Sequence, residues 1–259
     1  MTIKRAALLA AVATTLSFAC GLASLFLAWV PIAAYQHSSP FNYLLVMVFN
    51  LLILLVLGAA LPVFFFLLYR SRPLLSIPSS LKKAAWAAAI ASGLLVSKSV
   101  FLFGNGLLAR AQPAGDAAQS MGHPIVWALL RAYQLVVSPS ISLIAALTLL
   151  LFFVVVARSE TGAQTVPLGL RRAAMYACVV ATLSAAMIAV SMYVVATLPH
   201  SYPKALHQAG AGTSAWWIWN VILERAITVC DQIALAVFFL TFFLKLPAPQ
   251  SSLWVRSGE

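Results

Sequence analysis

Acidic residues are almost missing from this chain. Five Asp and Glu stand against sixteen Lys and Arg in 259 residues, and charged residues of all kinds make up only 8%. So few charges cannot solvate the surface of a soluble domain of that length, while 63% of the residues are hydrophobic. Cysteine is scarce too. Cys20, Cys178 and Cys230 fall singly in three different apolar runs, which excludes a CxxC metal or redox motif and a disulfide framework. The four histidines, His37, His123, His200 and His207, all lie between the apolar runs, with no i, i+4 pair. Only Asp116 stands near them as a carboxylate, so neither a metal site nor a haem ligated in mid-span is expected. The chain also lacks GxSxG, HExxH, a P-loop and GxGxxG. Its basic loops offer one carboxylate, Glu160, too little for a transferase at a leaflet surface. We therefore expect no enzyme, no cofactor and no metal.

What is present is six long apolar runs, near 8–30, 43–69, 84–106, 137–157, 173–198 and 216–244. Each is long enough to cross a hydrocarbon core, which takes about 20 helical residues. Basic residues flank them on one side: Lys4, Arg5, Arg70, Arg72, Lys82, Lys83, Arg158, Arg171, Arg172, Lys245 and Arg256. The other side holds only Arg110, Arg131 and Lys204. The positive-inside bias then puts both termini in the cytoplasm. The expected fold is all-α: one integral domain over residues 1–259, six transmembrane helices paired as three hairpins, in the cytoplasmic (inner) membrane. The first run reaches Val30, too long for the apolar part of a signal peptide, so it is read as a retained helix. No loop interleaves basic and aromatic residues, so nucleic acid is not an expected partner; membrane lipids and other membrane subunits are.

The odd and even runs differ in kind. The odd ones are dense in small residues, with Ala85/Ala89/Gly93 and Ala177/Ala181/Ala185/Ala189 spaced four apart. The even ones carry Phe64-Phe65-Phe66, Phe152-Phe153, Phe238-Phe239 and Phe242-Phe243. Small residues let helix backbones approach in lipid, so the expectation is an inner layer of odd helices and even helices with bulky faces to lipid. Lys4-Arg5-Ala6-Ala7, Lys82-Lys83-Ala84-Ala85 and Arg171-Arg172-Ala173-Ala174 open the odd runs alike, the mark of a triplicated hairpin or of recurrent helix-start composition. Between the third and fourth runs, residues 124–136 show helical spacing of apolar groups. They fit an interfacial helix or, alternatively, a longer and kinked fourth span.

Ionisable residues inside spans are costly and are paired, cavity-facing or functional. Here they are Lys98 in the third run and Glu224, Arg225 and Asp231 in the sixth. Lys98 lies about 22 Å from the basic boundary at 1.5 Å per residue, and Glu224 about 12 Å in from the opposite aromatic belt. Similar depth makes them candidate partners. Asn220, Glu224 and Asp231 share one stripe of the sixth helix, with Thr228, Arg225 and Gln232 beside it. One reading is a static interhelical network in an accessory or assembly subunit of a membrane complex. The other is a polar pathway in a small transporter or permease subunit.

Overall fold

The computed structural model describes residues 2–27, 55, 58–70, 79–111, 129, 132–158, 167–197 and 223–245. Apart from Thr2 and Pro167 these residues are helical, with no strand among them. In chain order the helices are α1 (Ile3–Leu27), α2 (Gly58–Arg70), α3 (Ser79–Ala111), α4 (Ser138–Arg158), α5 (Leu168–Thr197) and α6 (Glu224–Lys245). Four stretches are long and apolar enough to cross a membrane: Ser79–Gly104, Tyr133–Arg158, Leu168–Tyr193 and Ala226–Lys245. The described part of the second run, Gly58–Arg70, is apolar but shorter.

A π-helical turn, Tyr133–Val137, runs directly into α4, and the Ser138 N–H bonds back to the Tyr133 carbonyl. Pro139 explains the wide turn. It has no N–H to continue the regular ladder, and a π turn is one way to absorb that loss without ending the helix. The last residues of the 124–136 segment therefore continue into the fourth helix. Apart from Leu129 and Ala132, its earlier part lies outside the described residues.

The helices associate as a chain of neighbours: α1 on α6, α6 on α5, α5 on α4 and α4 on α3. Helix α2 meets α3 at Gly58, where an added Cβ would come within 2.8 Å of Val96. The largest wholly buried side chains are Phe64, Phe65, Phe152, Phe153, Phe238, Phe239 and Leu68, all from even helices. Their rings interlock edge to face across all three: Phe64 on Phe239 at 4.8 Å, Phe65 on Phe152 at 4.9 Å, Phe153 on Phe238 at 5.0 Å. Each such pair contributes about 0.5–1.5 kcal/mol beyond the area it buries.

This corrects the expected layering. The phenylalanine faces of the even helices point inward and make the centre, while other bulky side chains of the same helices, such as Phe66, Leu151 and Leu240, are exposed as expected. Small faces of the odd helices are buried as well, as Ala6, Ala7 and Ala10, Ala84, Ala85 and Ala88, Ala173, Ala174 and Ala177. They form the outer wall of the same core, where a larger side chain would hold the odd helices away from the rings. The buried hydroxyls of Thr14 and Ser92 turn back to their own helices, donating to the Ala10 and Ala88 carbonyls at 2.8 and 2.7 Å. Gly93 also departs from expectation: nothing lies within 4 Å of an added Cβ there, so it marks no close approach.

The outward faces are apolar. Leu9 and Leu16 on α1, Trp86 and Ile90 on α3, and Tyr176, Val179 and Tyr193 on α5 are exposed, Tyr176 and Tyr193 by about 70%. Exposed apolar groups around every helix are what a lipid-facing surface requires, and a water-facing one would disfavour them. The described residues thus form an all-helical structure of membrane character.

Candidate functional site

The polar residues of the inward seams lie beyond the buried ring lattice, toward the helix ends opposite the basic helix starts. On α4 the buried stripe runs Ser138, Ala145, Leu149, Phe152 and Val156, with half-buried Ser142 between the first two. Its spacing of alternately three and four residues keeps one seam of the helix inward. The inward seam is thus aromatic at one end and hydroxylic at the other. Helix α6 repeats the pattern, with Phe238 and Leu235 buried and Asp231 half-buried at the next inward place.

Lys98 of α3 is half-buried and its ammonium donates to the Ser142 hydroxyl oxygen of α4. That contact joins two helices that pack along one another. The Ser142 hydroxyl in turn donates to the Ser138 carbonyl at 3.3 Å, so the ammonium, the hydroxyl and the backbone form a relay. A charged donor makes a stronger bond than a neutral one, about 1.5–3 kcal/mol net. Ser142 is the residue that reading the sequence missed. Serines are frequent in spans and usually bond only to their own backbone. The available signal was register: Ser138 precedes Phe152 by the same interval at which Glu224 precedes Phe238.

Of the stripe on the sixth helix, Thr228 is exposed and Asp231 and Gln232 are half-buried. The Gln232 Oε1 atom is buried and accepts no hydrogen bond among the described residues. A buried acceptor in that state costs about 1–3 kcal/mol. Asn220 and the side chains of Glu224 and Arg225 lie outside the described residues, and with them the expected Lys98–Glu224 pair. The histidines lie outside them also. Among the described residues no three His, Cys, Asp or Glu side chains converge as a metal site would need. Cys178 and Cys230 are free thiols.

The arrangement can hold a cation in place, dock α3 against α4, and present acceptors beside a half-buried carboxylate. Comparison with protein families, curated proteins and solved structures yields no match.

Proposed function

We propose that this chain is a non-catalytic integral protein of the cytoplasmic membrane, built of six spans in three hairpins with both termini inside. Its role is that of an accessory or assembly subunit in a membrane complex. The observation that carries this reading is the ring lattice of α2, α4 and α6. Phe64, Phe65, Phe152, Phe153, Phe238 and Phe239 pack against one another with almost no exposure, so the middle of the bundle is filled with side chains. A solid aromatic centre suits a scaffold better than a conduit. The large exposed aromatic groups Trp86, Tyr176 and Tyr193 on odd helices supply outward surface for packing against other helices.

Native mass spectrometry after extraction in mild detergent from the protein's own membranes tests the role. A stoichiometric complex with other membrane proteins is expected. A chain that runs alone and moves ions across proteoliposomes would sink it. Orientation has its own test. Cysteines placed near Ser76 and Thr165 should resist an impermeant thiol reagent in intact cells, and those near Ser39, Ala118 and Gly210 should label. Labelling near Ser76 from outside would reverse the topology.

One observation favours a second reading, that of a small transporter or permease subunit. Lys98, Ser142, Asp231 and the Gln232 oxygen, which accepts no hydrogen bond among the described residues, lie away from the buried ring lattice of α2, α4 and α6. In that case the rings are the closed side of an alternating pathway. Lys98→Met would then abolish flux while the protein still folds.

A further inference from the structure

The paired basic residues that open α1, α3 and α5 divide their work in the same way each time. The first of each pair, Lys4, Lys82 or Arg171, is half-buried, and the second, Arg5, Lys83 or Arg172, is exposed. Two of the inner cations are held by the end of a neighbouring even helix. The Lys4 ammonium sits 5.3 Å above the Phe243 ring of α6, and the Arg171 Nε donates to the Ala157 carbonyl of α4 at 3.1 Å. Ala157 and Phe243 hold the same place in their helices, each one residue beyond the turn that starts with Phe153 or Phe239. Anchoring the inner cation leaves the outer one directed away from the bundle, since adjacent helical residues are about 100° apart.

One turn further along each odd helix, on that outward face, stands an exposed apolar side chain: Leu8 after Arg5, Trp86 after Lys83, Met175 after Arg172. Residues three apart on a helix are surface neighbours. We propose that these three cation–apolar steps are binding sites for anionic phospholipid, each taking the phosphodiester headgroup on the cation and an acyl chain along the apolar residue. Two features favour a lipid over a folded acidic partner. The apolar group stands about one turn deeper than the cation on the neighbouring surface of the helix, as tail lies below headgroup in a leaflet. The three steps are also separated around the bundle, because α6 lies between α1 and α5, and α4 lies between α5 and α3. Three separate ligands fit that spacing. The sites rest on the membrane reading alone and not on the subunit role. Near a membrane surface, each basic residue attracts anionic lipid by about 1 kcal/mol, a factor of about five, and the apolar step adds to this.

The test is native mass spectrometry of the whole chain, purified in detergent and supplied with equal amounts of phosphatidylglycerol and phosphatidylcholine. Up to three phosphatidylglycerol molecules should be retained in preference to phosphatidylcholine. The triple variant Arg5→Gln, Lys83→Gln, Arg172→Gln should retain at least tenfold less. Each single variant should lower the maximum from three to two, and these decide the matter if the triple variant does not fold. Arg110→Gln with Lys204→Gln, which the sequence assigns to the opposite side, should change nothing. Free glycerophosphoglycerol, the same headgroup without chains, should displace no lipid at equal concentration. Equal retention of the two lipids, unchanged maxima in the single variants, displacement by the chain-free headgroup, or an equal loss in the Arg110/Lys204 control would each overturn the sites. If the chain enters bilayers yet retains no phosphatidylglycerol, the sites fail and the membrane placement stands.

Discussion

The two halves of the bundle are built on different principles. Near the basic helix starts, α2, α4 and α6 meet through phenylalanine rings, and the odd helices lay alanine faces against them. Toward the other end the same inward seams carry Ser138, Ser142 and Asp231, and the contacts include the Lys98–Ser142 hydrogen bond beside the Phe101 ring on Tyr133 at 4.3 Å. Shape holds the first half together, and the second adds a directed polar bond. Lipid tails are as apolar as leucine, so neither half gains from hydrophobic exclusion between helices as a soluble core does. A close-packed half loses stability with every atom removed. A polar half responds to whether each donor and acceptor keeps its partner.

The largest expected effect is in the aromatic half. Phe152→Ala or Phe238→Ala should cost about 3–5 kcal/mol, by analogy with buried aromatic truncations, while Leu151→Ala on the exposed face should cost far less. Thermal melting in detergent reads the difference. Equal losses at Phe152 and Leu151 would erase the distinction between centre and lipid face.

In the other half the comparison turns on the partner of Lys98. If Lys98 and Glu224 are partners, either single change, Lys98→Met or Glu224→Gln, should cost about 3–5 kcal/mol, moderated by snorkelling. The double variant should then recover much of the folded yield. Additive losses without rescue would show that Ser142 is the working partner of Lys98 and that Glu224 belongs elsewhere.

Between those extremes lie the glycines. Gly58→Leu should destabilise by about 1–3 kcal/mol, because even a Cβ there strikes the branched Val96 side chain. Gly93→Ala meets open space and restores helix propensity, so it should be neutral or stabilising by up to about 1 kcal/mol. Reversed results in chemical unfolding would relocate the close approach between α2 and α3. The smallest expected effect has the opposite sign. Gln232→Met removes a buried acceptor that has no partner among the described residues and should stabilise slightly, by about 1 kcal/mol or less. A marked loss would mean that the amide is bonded in the working protein.

The chain's membrane character and the helical state of the described residues were legible in the sequence, because span length and the shortage of charge follow from solvation alone. The small-residue faces were legible too: Ala85 and Ala177 are buried as their spacing implied. Gly93 shows the limit of that rule, since its spacing matches theirs while its surroundings are open. Of the polar group, Lys98 was found from its charge. Ser142 was overlooked because a hydroxyl in a span has its own backbone as a ready partner, and only the fold brings an ammonium to it.

By itself, then, the sequence determined how many apolar runs there are, which of their ends are basic and which carry ionisable groups, since these depend only on transfer from water to hydrocarbon. It did not determine which side of the even helices faces inward. A phenylalanine is equally soluble among lipid tails and among other phenylalanines, so hydropathy is silent on the choice. Only the tertiary structure decided it. Rings from α2, α4 and α6 fit edge to face at 4.8–5.0 Å, and the alanine faces of α1, α3 and α5 are narrow enough to close around them.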